Sequence, residues 1–174
     1  MPVPDITVVV PTRDRHDQLR RCLASLLAQE VPAGSSFDVV VVDDGSVPPV
    51  ELPWVDARVT VTRQSQGGPA SARNAGALAT QAPLVAFLDD DCEPAPGWLA
   101  ALIAAAHAAP GCGYGGRVVN RLAANPFAET SQLIVSFLCE YYRETRDTGR
   151  FFTSNNLAVF IKRRALNFLT MRRA

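Results

Sequence analysis

Two acidic clusters carry the clearest chemical signal in this chain: Asp43-Asp44-Gly45-Ser46 and Asp89-Asp90-Asp91, each directly after a short apolar run. Carboxylates this close repel one another unless a cation or hydrogen-bond donors neutralise them. Magnesium and manganese suit such a site, because hard dications are commonly held by one or two carboxylates with substrate phosphates completing the shell. The pattern points to a divalent metal beside a ligand that carries phosphate. Taken alone, Asp43-Asp44 reads equally well as an Asx-turn or helix cap. Three consecutive aspartates offer no obvious structural return, so metal or sugar chemistry is expected at Asp89-Asp90-Asp91. Arg73, shortly after Gly67-Gly68, is either a phosphate or base contact or a solvated charge. Pro11-Thr12-Arg13-Asp14 adds a third polar segment of the same kind.

These clusters need strands to bring them together. Ile6 to Pro11, Phe37 to Val42 and Leu84 to Leu88 are runs of the kind found in strands buried on both faces, and each ends at one of the polar segments. Arg58 to Arg63 alternates valine and threonine and suits a further strand. Between them, Leu19, Cys22, Leu23, Leu26 and Leu27 recur at helical spacing from Asp17 onward. Ala70 to Thr80 follows a proline placed for a first helical turn, and a third helix is expected from about Gly97 to Ala109. Beyond Gly111 the expected elements are a strand over Gly113 to Asn120, a helix over Phe127 to Tyr142 and a strand over Asn156 to Ile161. Strand and helix alternate, as in an α/β doubly wound, mostly parallel sheet with flanking helices. In such a sheet, ligands bind at the carboxyl ends of the strands, where the polar segments fall.

Composition narrows the classes. A chain of 174 residues with 48% hydrophobic and 20% charged residues is of single-domain size and globular type. Seventeen basic residues balance seventeen acidic ones, so no nucleic-acid footprint is present. The longest nearly apolar stretch, Trp98 to Ala109, is too short to span a bilayer, and the first residues lack the pattern of a secretory signal, so a cytosolic chain is expected. Cys22, Cys92, Cys112 and Cys139 form no Cys-x-x-Cys pair and are expected to be reduced and mostly buried. His16 and His107 lack partners in any pattern, and neither a Gly-x-Ser-x-Gly nor a Walker sequence occurs, which removes the main support for hydrolase chemistry. The match Gly111-Cys112-Gly113-Tyr114-Gly115-Gly116 follows a helix and leads into a strand, the reverse of a dinucleotide fingerprint, and is read as a turn.

Four segments in order, Val8-Val9-Val10-Pro11-Thr12-Arg13-Asp14-Arg15, Val41-Val42-Asp43-Asp44-Gly45-Ser46, Gly67-Gly68-Pro69-Ala70-Ser71-Ala72-Arg73-Asn74-Ala75-Gly76 and Phe87-Leu88-Asp89-Asp90-Asp91-Cys92-Glu93-Pro94, together resemble family 2 glycosyltransferases, which have the GT-A fold. A weaker likeness continues at Phe152-Thr153-Ser154-Asn155-Asn156-Leu157-Ala158. The resemblance implies an inverting transfer of sugar from a nucleotide-diphosphate donor to an acceptor that the sequence does not name. It implies that Pro11 and Thr12 lie against the nucleotide, that Asp43 or Asp44 accepts a hydrogen bond from the base, and that Arg73 helps hold the nucleotide. Asp89-Asp90-Asp91 is the counterpart of the family's Asp-x-Asp motif. Asp91 is then the main ligand of a Mg2+ or Mn2+ ion, with Asp89 and Asp90 contacting sugar or ribose and supporting the metal.

The resemblance also sets the expected organisation: one glycosyltransferase domain over residues 1–174, with the nucleotide-sugar-binding part in residues 1–110 and an incomplete acceptor side. Family members usually continue into a Gly-Gly-Phe-Asp-like turn and a Glu-Asp motif whose carboxylate takes the acceptor's proton. No side-chain carboxylate follows Asp147 here, so a shortened chain is expected, and Glu129, Glu140, Glu144 and Asp147 are the other candidate bases. The alternative function is a non-catalytic nucleotide-sugar-binding module. A sugar-phosphate nucleotidyltransferase ranks third, since Pro11-Thr12-Arg13 is not the glycine-rich loop it needs. Leu166, Phe168, Leu169 and Met171, set among arginines, make an amphipathic ending expected to pack on the sheet, ahead of a partner or peripheral membrane contact.

Overall fold

The structure is a computed structural model that describes residues 3–122, 124–143 and 153–161. Its elements in chain order are β1 (Ile6–Thr12), α1 (His16–Leu27), β2 (Phe37–Asp43), β3 (Val59–Arg63), α2 (Pro69–Ala79), β4 (Leu84–Leu88), α3 (Trp98–Ala108), β5 (Gly113–Gly115), α4 (Pro126–Tyr141) and β6 (Asn156–Phe160). They form a six-stranded sheet in the order β3-β2-β1-β4-β6-β5. The first four positions are parallel, whereas β6 runs antiparallel to both β4 and β5. This mixed α/β sheet agrees with the expected class.

Alternation along the strands explains the layering. Val8 and Val10 of β1, Val39 and Val41 of β2, and Ala86 and Leu88 of β4 face Leu19, Leu23 and Leu26 of α1 and Leu99, Leu102 and Ile103 of α3. On the opposite side, Val9, Val40, Val42, Val85 and Phe87 face Ala72 and Ala77 of α2. Helices on both faces leave the central strands no polar side, which is why β1 and β4 are buried along their whole length. Gly76 of α2 allows that helix to lie close to the sheet, for a Cβ there would run into the side chains of Val9 and Val42.

The C-terminal part departs from the sequence expectations. The strand expected over Gly113 to Asn120 is only three residues long, and β6 inserts between it and β4. None of the side chains of α4 is buried, and Phe127, Leu133, Ile134 and Phe137 are all exposed. The thiols divide differently from the expectation of mostly buried cysteines: Cys22 is buried, Cys92 half-buried, and Cys112 and Cys139 exposed, because the last two lie on the turn before β5 and on α4. All four are free. Among the described residues no helix is long and apolar enough to cross a membrane. Glu144, Asp147, Phe152 and the expected amphipathic ending lie outside the described residues.

Candidate functional site

The chain runs outward from β1 through β2 to β3 and then restarts on the other side of β1 with β4. The order of the sheet therefore reverses between β1 and β4, and a crevice opens at the carboxyl ends of those two strands. Thr12 ends β1, Asp43 ends β2, and Asp89 directly follows β4, so the fold itself gathers the three polar segments. They line a cleft of about 440 Å³ that includes Pro11, Thr12, Asp44, Arg73, Asp89 and Asp90, together with Arg13, Arg15, Gln66 and Gly68.

The two aspartates after β2 have different surroundings. Asp43 is 1% exposed and accepts from the backbone N–H of Ser46 at 2.8 Å and of Val50 at 3.1 Å, and from Arg63 Nη1 at 2.5 Å. Burial works to raise its pKa, and these donors outweigh burial and hold the carboxyl below the usual range. Asp43 thus ties the turn after β2 together and does not line the cleft. Asp44 does line it, accepting from Gln64 Nε2 at 2.7 Å and from the N–H groups of Gly67 and Gly68 at 2.7 and 2.8 Å. Here too burial opposes ionisation, and the Gln64, Gly67 and Gly68 donors with the Arg13 charge prevail. Asp44 thereby pins the loop that opens α2. Gly68 takes φ +87 at the cap of that helix, a left-handed conformation that suits glycine.

The aspartates after β4 are neutralised by groups far away in sequence. Arg73 Nη2 donates to Asp89 Oδ1 at 2.5 Å, while Arg73 Nε is buried without a partner. Asp90 is nearly buried, with Oδ2 accepting the Thr12 hydroxyl at 2.7 Å and Oδ1 facing Arg15 Nη1 at 3.3 Å. Burial raises its pKa against those two partners. The same Arg15 nitrogen lies 3.1 Å from Asp91 Oδ2, and the Asp91 side chain is 54% exposed. The cluster therefore has the structural return that the sequence did not reveal, since Asp90 joins the end of β4 to the end of β1. The pairings of Arg15 and Arg63 had no sequence signal, because their partners lie 75 and 20 residues away.

Among the described residues, no three His, Cys, Asp or Glu side chains converge to hold a metal ion by themselves. What the cluster offers is hard oxygen donors with Asp91 half-exposed, which fits a dication that takes most of its shell from phosphate and water. Burial, with the aspartate charges added, pushes the neighbouring Cys92 thiol up to about 12 and Cys22 higher still. Of the candidate bases, Glu129 accepts from Asn120 and Glu140 pairs with Arg143, both on α4 and neither lining the cleft. Asn155, from the weaker part of the resemblance, reaches Cys92 Sγ at 3.8 Å beside the end of β4.

The model of the family described as Glycosyl transferase family 2 matches residues 7–168. Pre-mycofactocin glycosyltransferase of Mycobacterium tuberculosis is 41% identical over 103 residues, covering 57% of this chain and 20% of that protein. Validoxylamine A glucosyltransferase of Streptomyces hygroscopicus subsp. limoneus is 40% identical over 126 residues, covering 65% of this chain and 27% of that protein. The chain thus spans about a fifth to a quarter of the length of these two relatives. Among solved structures, S. aureus TarS 1-349 superposes with a TM-score of 0.52 at 24% identity, over 67% of this chain and 38% of that one, a likeness of fold.

Proposed function

The chain belongs to glycosyl transferase family 2, and on that footing we propose that its strand-end cleft binds a nucleoside-diphosphate sugar with a divalent cation and passes the sugar to an acceptor hydroxyl. The observation that carries this reading is the meeting of Thr12, Asp44, Arg73, Asp89 and Asp90 at the point where the sheet order reverses. Residues 1–110 form the donor-binding part. Asp44 and Gly68 face the nucleoside, Pro11 and Thr12 flank it, and Arg73 steadies the nucleotide while holding Asp89 in place. Arg13, at the cleft wall, adds positive charge for the diphosphate. Asp91, with Asp89, holds the Mg2+ or Mn2+ ion, and Asp90 orients toward ribose or sugar. A bound dication supplies neutralisation of the charge that grows on the leaving diphosphate. Four free cysteines agree with a reducing compartment, and the cytosol is the proposed location.

The second reading, donor binding without transfer, is favoured by one observation: among the described residues, the carboxylates lining the cleft are Asp44, Asp89 and Asp90, and each is already engaged by protein donors. A thermal-shift panel of nucleotide sugars, with and without manganese, tests the main proposal, because a ligand that binds only the folded state raises the melting temperature by mass action. The expected result is stabilisation by one class of donor, enhanced by manganese and lost in Asp91→Ala as to its metal dependence. Metal dependence unchanged in that variant would remove Asp91 from the proposal, and no stabilisation by any donor would overturn it. Release of product from labelled donor with and without acceptor then separates transfer from binding.

A further inference from the structure

We propose that Arg15 is a resident counterion of the aspartate cluster, which a dication displaces, so that metal binds weakly alone and loads together with the nucleotide. This rests on the donor-site reading above. Arg15 precedes α1 at the end of β1, and its side chain reaches across the crevice to the segment after β4. One nitrogen, Nη1, sits 3.3 Å from Asp90 Oδ1 and 3.1 Å from Asp91 Oδ2, between two adjacent carboxylates. A cation held by Asp91 would take over the neutralisation that Arg15 now gives these carboxylates. The other Asp90 oxygen is already engaged by the Thr12 hydroxyl, and Arg15 and an ion held by Asp91 would compete for the Asp91 carboxylate.

The two arginines of the cluster differ in how firmly they are held. Arg73 is 16% exposed and its partner Asp89 is fixed by it, whereas the Arg15 side chain is 52% exposed and leaves its position with little loss of packing. Because Arg15 also lines the cleft, a diphosphate arriving there offers its guanidinium new oxygen acceptors when the ion takes the old ones. The exchange conserves charge pairing throughout: carboxylates pass from guanidinium to metal, and guanidinium passes from carboxylate to phosphate. Metal and nucleotide then favour each other, by the same factor in both directions. In this exchange Arg15 first neutralises Asp90 and Asp91 and then contacts the diphosphate itself.

The test is Mn2+ binding to the full chain, followed by the paramagnetic signal of free Mn2+, alone and with saturating UDP or GDP. Arg15→Gln removes the charge, and because the ion pairs are half-exposed the expected gain in affinity for Mn2+ alone is about threefold to tenfold. Arg15→Lys keeps the charge and should stay near the wild type, a rescue that a merely structural role would not give. The factor by which nucleotide tightens Mn2+ should shrink in Arg15→Gln. Circular dichroism checks that each variant is folded, and Arg15→Ala replaces Arg15→Gln if the latter is not. Unchanged affinity for Mn2+ alone in the folded charge-removed variant overturns the counterion role. If at the same time nucleotide-dependent Mn2+ binding persists and is lost in Asp91→Asn, the donor-site reading survives. Absence of Mn2+ binding in every form, with either nucleotide, overturns both.

Discussion

Asp43→Ala separates the two aspartates after β2 and can be worked out from their contacts. The substitution leaves the N–H groups of Ser46 and Val50 without their acceptor and frees Arg63. Each buried donor left unsatisfied costs ~1–3 kcal/mol. The Arg63 partner is 44% exposed, so that ion pair is discounted to at most ~1 kcal/mol. The total is about 2–7 kcal/mol, a large part of the ~5–15 kcal/mol that holds a typical domain. For a chain of this size that corresponds to a fall in melting temperature of roughly 4–28 °C. The sign of the pH dependence follows from the lowered pKa of Asp43 in the fold. Its stabilisation is complete above the unfolded value of about 3.9 and is lost as pH falls through the lower, folded value. The gap between wild type and variant should therefore be level near neutrality and close only below about pH 4. Melting followed by circular dichroism across pH, with nucleotide titration calorimetry on the same samples, reads both quantities. A variant that melts with the wild type yet loses nucleotide affinity would refute the assignment and make Asp43 a ligand contact.

Thr12→Val removes the donor to Asp90 and should cost about 1–3 kcal/mol in urea denaturation at neutral pH, and less in acid, where the carboxyl is protonated. Gly76→Ala should destabilise by a comparable ~1–3 kcal/mol, since its methyl group meets Val9 and Val42 across the sheet. In thiol titration of the native chain with an aromatic disulfide, Cys112 and Cys139 should react quickly, whereas Cys22 and Cys92 should wait for unfolding.

The strands of the parallel half were legible because β-branched residues fill both faces, and their ends because the polarity changes abruptly at Thr12, Asp43 and Asp89. The segments of the cleft were legible for the same reason, since a doubly wound sheet brings strand ends together whatever the loops do. Partners set by tertiary approach were not. Nothing near Asp90 in sequence announces Thr12 or Arg15, 78 and 75 residues away, so the aspartates looked unpaired when in fact they are matched. Likewise, Asp43 and Asp44 are indistinguishable as a dipeptide, but strand alternation turns one into the turn and the other into the cleft. The antiparallel insertion of β6 depends on pairing with Leu84–Leu88, more than 60 residues earlier, which no local pattern encodes. Helix α4 carries helical periodicity without burying that face, so its pattern predicted the element and misjudged its packing.

The central claim is that the cleft at the β1–β4 reversal is the donor site, and a crystal structure of the chain with manganese and the nucleoside diphosphate that stabilises it most tests this directly. The account predicts the nucleoside against Asp44 and Gly68, the diphosphate beside Arg73, and the manganese on Asp91. Nucleotide bound instead in the second groove of about 270 Å³, between Arg117 and the Gln132–Glu140 side of α4, with the strand-end cleft holding neither nucleotide nor metal, would contradict it.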